Sequence, residues 1–198
     1  FTNKKNSYHN LNKVNSIKEK NKFQFIYCAR LLISKGIKKF IEIADSNKDH
    51  DFIIFGNFDD SSKDSIKKSD FENLCKKENI IYKGQIKNPL LNIKHPNPIL
   101  IVPSDYGEGL PRAILEAFAL RIPVISSLSA TINLFTRNSL YIAYEKKVTN
   151  YNLLIDQIIK DKKNGNLEKK INYAYNFSKR FTEKEIVKET KKLYLELS

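Results

Sequence analysis

Short runs of apolar residues alternate along this chain with longer stretches in which apolar positions recur at helical spacing. The short runs predict strands buried on both faces, and the longer stretches predict helices packed by one side. Strands are predicted at Phe23 to Ala29, Phe52 to Phe55, Ile80 to Lys83, Ile99 to Val102 and Val124 to Ser126, with a weaker one at Leu140 to Ala143. The intervening spacing predicts helices at Ile37 to Ser46, Ser65 to Asn79, Leu90 to Lys94 and Leu110 to Leu120. Further helices at Tyr151 to Lys162, Leu167 to Phe177 and Glu183 to Leu197 finish the chain, the last opened by a capping box from Thr182 to Glu185.

Strands joined by helical crossovers imply a parallel sheet covered on both faces, hence a doubly wound α/β domain. Residues 1–22 are polar and rich in Asn and Lys, which predicts a linker or arm, and the domain is expected to occupy residues 23–198. The chain starts at Phe1 and contains no Met, so further sequence is expected before it.

With 198 residues and 41% hydrophobic content, the chain is long enough for one sizeable core. No run of eighteen apolar residues occurs, so a membrane-spanning helix is not expected, and the two isolated cysteines fit a reducing cytoplasm. Cys28 and Cys75 stand apart without the close spacing of a zinc or redox motif, which fits reduced, packed thiols.

A net charge of +13, from 35 Lys and Arg against 22 Asp and Glu, raises nucleic acid, anionic lipid and phosphorylated ligands as partners. Lysine is spread along the chain and is not interleaved with aromatics, which argues against nucleic acid. The same excess would suit peripheral contact with an anionic membrane.

The stretch from Ile99 to Ala119 carries the most chemistry. An apolar strand runs into Asp105-Tyr106-Gly107-Glu108-Gly109-Leu110-Pro111 and then into an apolar helix, leaving Glu108 and Glu116 eight residues apart. Pro111 suits a helix start, and Gly109 allows close backbone approach to a ligand. A helix starting near Leu110 would put Glu116 about 9 Å along its axis, about the span from a nucleotide's terminal phosphate to its ribose. In physical terms two readings stand level. Either Glu116 accepts ribose hydroxyls while Glu108 meets sugar hydroxyls, or Glu108 complements the helix dipole and Glu116 is a solvated surface residue.

A second strand end adds cations. Arg30 and Lys35, in Ala29-Arg30-Leu31-Leu32-Ile33-Ser34-Lys35-Gly36, belong at the same edge of the sheet, where they could hold a diphosphate. The competing interpretation is a surface loop in a lysine-rich protein, which suits Lys35 better than Arg30.

Arg30 to Gly36, Phe52 to Gly56, Ile81 to Ile86, Val102 to Ser104, Glu108 to Ala119 and Ile122 to Ile125 occur in an order that resembles the donor-binding, C-terminal domain of retaining GT-B glycosyltransferases of family 4, the glycosyl transferases group 1. The resemblance runs from about Phe23 to the last helix. It implies a Rossmann-like domain, the C-terminal half of a GT-B fold, with the N-terminal acceptor domain missing. It also implies that Arg30 and Lys35 hold the diphosphate of a nucleotide sugar, that Glu116 binds ribose and that Glu108 contacts the donor sugar. Gly109, Leu110 and Pro111 would line the sugar and phosphate, and Gly84 to Ile86 would reach the base. Glu108, Arg30 and Lys35 are thereby the candidate catalytic residues.

A UDP-linked donor and a glycan or lipid-linked acceptor of bacterial surface polysaccharide, capsule or lipopolysaccharide synthesis are expected by the same resemblance. No cofactor is implied. His9, His50 and His95 share no ligand spacing, and His95 is expected in a solvent-exposed loop. Arg30 and Lys35 would do the work of a metal ion, stabilising the departing nucleotide diphosphate.

Two features depart from the family pattern. Arg121 stands where Gly is common, and the loop from Leu128 to Leu134 lacks the usual Pro-Gly turn. The competing functions are a GT-B nucleotide-sugar epimerase, for which no acid and base pair is evident, and a non-catalytic binding module.

Overall fold

In the computed structural model, which describes residues 22–107, 111–131 and 135–197, strand and helix alternate as the apolar spacing predicts. The elements are β1 (Gln24–Cys28), α1 (Ile37–Ser46), β2 (Asp51–Phe55), α2 (Lys68–Leu74), β3 (Ile80–Tyr82), a 3-10 turn (Pro89–Asn92), β4 (Pro98–Val102) and α3 (Arg112–Ala119). They continue with β5 (Val124–Ser127), β6 (Tyr141–Ala143), α4 (Val148–Asn164), α5 (Asn166–Ser178), a second 3-10 turn (Lys179–Phe181) and α6 (Glu183–Leu197).

The strands form one sheet in the order β3-β2-β1-β4-β5-β6. Every adjacent pair is parallel. Phe25 lies opposite Phe52 on one side and Ile99 on the other, so β1 is hydrogen-bonded along both edges.

Alternate residues of each strand enter opposite cores. Phe25, Tyr27, Phe52, Ile54 and Ile101 pack with Phe40 and Ile41 of α1 and with Tyr151, Ile155 and Ile158 of α4. Ile26, Ile53, Leu100 and Val124 face the other way, against Ile114, Ala117 and Phe118 of α3 and Ala174 of α5. The rings of Phe25, Phe52 and Phe40 touch in sequence, with centroids 4.9 and 5.5 Å apart. Each such fully buried side chain stabilises the fold by roughly 1.5–3 kcal/mol.

Four expectations are corrected. The helix predicted over Ser65 to Asn79 is confined to Lys68–Leu74, because Ser65 bridges antiparallel to Leu32, Lys67 is extended, and Asn79 donates to the Ala44 and Asn47 carbonyls at the end of α1. The Leu90 to Lys94 helix is a 3-10 turn entered through a left-handed Asn88. Pro111 is the extended N-cap of α3, so that helix starts at Arg112. His95 is half-buried, its Nδ1 accepting the Asn97 N–H at 3.1 Å. Glu185 N–H does donate to Thr182 Oγ1 at 3.4 Å, one half of the expected capping box.

Close backbone packing at the carboxyl edge of the sheet depends on two glycines. At Gly36 (φ +80°) a Cβ would stand 2.1 Å from the Pro103 carbonyl oxygen, and at Gly56 (φ +155°) it would stand 1.9 Å from that of Ala29. The loops after β1, β2 and β4 are thereby drawn together.

Arg121 follows α3 in the left-handed region, φ +60°. The cost for a non-glycine residue is offset by its guanidinium, which donates to Glu168 Oε1 (2.9 Å) and Asn172 Oδ1 (2.6 Å) and lies 5.2 Å from the Tyr175 ring centroid. Arg121→Ala is expected to destabilise the domain by about 1–2 kcal/mol, and Arg121→Gly by roughly 1 kcal/mol less, because only the glycine relieves the backbone. Urea denaturation midpoints check this, and a glycine variant no more stable than the alanine variant would refute it.

Candidate functional site

The chain winds from β1 through β2 to β3 on one side and from β4 through β5 to β6 on the other, so the switch point lies between β1 and β4. The helices that follow those neighbouring strands, α1 and α3, pass to opposite faces of the sheet and leave a crevice at the carboxyl edge. A cavity of about 160 Å³ occupies it, lined among others by Tyr27, Cys28, Lys35, Ser104, Pro111 and Arg112.

Lys35 and Pro111, two of the predicted site residues, therefore meet at one cavity although far apart in sequence. The Lys35 ammonium lies 5.3 Å from the centroid of the exposed Tyr106 ring. Arg30 sits on the same loop and remains 57% exposed, with its Nη1 donating to Asp59 Oδ2 at 2.6 Å. The Ser61 hydroxyl and the Arg30 guanidinium hold the Asp59 carboxyl below the ordinary carboxylate range.

Glu116 is exposed one turn into α3, its Oε1 3.8 Å from Arg112 Nη2. Since the helix begins at Arg112, Glu116 stands about 6 Å along the axis from the first helical residue, a shorter ruler than the sequence suggested. Arg112 and Ala113 at the start of the helix line the cavity, whereas Glu116 does not. Burial, and then that carboxylate, push the Cys28 thiol up to about 11.

Ile86 is not brought to the cavity. It lies beyond β3, exposed, although the preceding segment is tied to the carboxyl edge by Gly56 N–H donating to the Gly84 carbonyl at 3.0 Å. Glu108, Gly109 and Leu110 fall outside the described residues. No group of three or more His, Cys, Asp or Glu is gathered as metal ligands among the described residues.

Sequence reasoning missed the polar residues beneath the crevice. Ser104, fully buried, donates to the Ser34 or Tyr106 carbonyl, both 3.2 Å away, and accepts the Tyr106 N–H. Asp105 accepts from Lys39 at 2.9 Å and pairs with Lys146 at 3.5 Å. Burial raises the nearby Tyr151 hydroxyl far above its ordinary range, and Asp105 adds to that. A small polar residue closing an apolar strand was the available signal for Ser104.

Residues 10–177 match the family model described as Glycosyl transferases group 1. The chain belongs to that family. A segment of 114 residues is 32% identical to an uncharacterized glycosyltransferase of Methanocaldococcus jannaschii, covering 54% of this chain and 26% of that relative. The chain thus spans only about a quarter of the curated relative it matches.

Among solved structures, sucrose-phosphate synthase from Thermosynechococcus elongatus superimposes with a TM-score of 0.75 at 18% identity, covering 89% of this chain and 45% of the other. Anabaena HepE, solved with UDP and glucose, gives 0.72 at 17% identity, covering 92% of this chain and 50% of the other. The C-terminal domain of a glycosyl transferase group 1 family protein from Francisella tularensis gives 0.62 at 20% identity, covering 80% and 85%. These likenesses show the fold, that of GT-B glycosyltransferases.

The Cys28 and Cys75 thiols are both pushed from 9.0 up to about 11, chiefly by burial. At pH 8 the thiolate fraction should be roughly a hundredfold below that of an ordinary exposed cysteine. Iodoacetamide labelling of the folded chain followed by mass spectrometry is expected to be correspondingly slow, accelerating as the pH approaches 11; rapid labelling at pH 8 would contradict the burial argument.

Proposed function

We propose that this chain is the nucleotide-sugar-binding part of a metal-independent glycosyltransferase that transfers a sugar from a UDP-linked donor with retention of configuration. The observation that carries the reading is the cavity at the switch point between β1 and β4, bounded by Lys35 on one side and the start of α3 on the other. Two structural neighbours add support: HepE was solved with UDP and glucose, and the pneumococcal O-GlcNAc transferase GtfA with UDP and GlcNAc.

The proposed chemistry follows from charge. Breaking the bond between the anomeric carbon and the diphosphate leaves growing negative charge on the leaving oxygen, which Lys35 and Arg30 would neutralise from fixed positions. Arg30 gives Asp59 one arm of its fork and has further N–H groups for phosphate. Glu116 would accept the ribose hydroxyls, and Glu108 would hold the donor sugar. The acceptor in this proposal is a glycan or lipid-linked intermediate of bacterial surface polysaccharide synthesis, met through a partner domain of the whole protein.

Isothermal titration of the chain with UDP tests the donor site. Binding is expected, weakened about tenfold or more in each of Arg30→Ala, Lys35→Ala and Glu116→Ala, as loss of a charge-assisted hydrogen bond implies. Absence of UDP-dependent heat in the intact chain would sink the reading.

Metal independence is tested in the same cell. EDTA should leave the UDP affinity unchanged, whereas a drop restored by Mg²⁺ or Mn²⁺ would show that the cations do not suffice.

A further inference from the structure

The loop carrying Arg30 and Lys35 is braced along its length by the loop that follows β2. Leu31 N–H donates to the Asn57 carbonyl (2.9 Å), Ile33 N–H to the Asp64 carbonyl (2.8 Å), and Ile66 N–H to the Leu31 carbonyl (3.0 Å). Leu32 and Ser65 form an antiparallel bridge. Within this brace one side chain stands out. The Asp64 carboxylate accepts the Ser34 N–H at 3.1 Å to Oδ2 and 3.3 Å to Oδ1, and it also accepts the Ser34 hydroxyl at Oδ2.

Ser34 is held from the opposite side as well. Its carbonyl accepts the Asp105 N–H at 2.7 Å and lies 3.2 Å from the Ser104 hydroxyl. The residue immediately before Lys35 is therefore clamped between the β2 loop, through Asp64, and the β4 loop that leads towards Glu108. A residue fixed at its N–H, its hydroxyl and its carbonyl transmits its position to its neighbour with little slack.

We propose that Asp64 is a positioning residue of the donor site, setting Lys35 over the crevice through its grip on Ser34. This rests on reading the crevice as a nucleotide-sugar site. Asp64 itself touches no donor atom in this proposal; its effect passes through the Lys35 ammonium. Its influence on affinity should therefore vanish when that ammonium is removed, which a general contribution to loop stability would not do.

The test is a double-mutant cycle with UDP as the titrant, using Asp64→Ala and Lys35→Ala singly and together. Asp64→Ala is expected to weaken UDP about tenfold with Lys35 present and to change nothing in the Lys35→Ala background, with Asp64→Asn recovering part of the loss through its remaining acceptor. Additive losses in the cycle, or an Asp64→Ala variant that binds UDP as well as the parent, overturn the proposal while leaving the donor-site reading intact. Failure of the parent chain to bind UDP overturns both. Should Asp64→Ala not fold, Ser34→Ala, which deletes the hydroxyl leg of the clamp, takes its place in the same cycle with the same criteria.

Discussion

β1 is paired on both edges and covered on both faces, and the geometry of the crevice follows from that confinement. A strand so enclosed carries polar function beyond its carboxyl end, where the ladder gives way to loops and the two crossovers pass to opposite faces of the sheet. Tyr27 is the last fully buried side chain of β1, Cys28 and Ala29 are half-buried, and Arg30 is the first exposed one. Gly36 and Gly56 then let neighbouring loops pack closer than any side chain would permit. The apolar interior and the cationic rim are thus two ends of one constraint.

The sheet was legible because its signal is local. Each strand is a short apolar run, and the observed bounds agree with the predicted ones to about a residue; α1 spans Ile37–Ser46 as its helical spacing requires. The family pattern was legible for the same reason, as fragments in order along the chain. The α2 region was misread because a helical spacing of apolar residues does not reveal that Ser65 and Asn79 are engaged by distant backbone.

Of the candidate site, Lys35 and Pro111 come to the crevice that topology demands, Arg30 and Glu116 are exposed outside its lining, and Ile86 stays apart. What could not be read was the polar framework beneath. Ser34 and Asp64 lie thirty residues apart, Lys39 and Asp105 sixty-six, and neither pair belongs to a periodic pattern. Such contacts arise only once the sheet order fixes which loops are neighbours. Arg121 shows the converse: its place in the sequence was recognisably unusual, but the reason it is tolerated lies in α5, in Glu168, Asn172 and Tyr175.

The contact between Arg30 and Asp59 bears on how a strongly basic protein avoids holding every anion it meets. With Asp59 as resident counter-ion, the guanidinium is already partly neutralised, and an incoming anion must compete with an internal carboxylate, not merely with water. A singly charged or loosely fitting visitor gains little from that exchange. In the proposed donor site, a ligand presenting two phosphates to both Arg30 and Lys35 at once would gain more, so the pair would act as a threshold favouring multidentate anions over the bulk ions attracted by the overall charge.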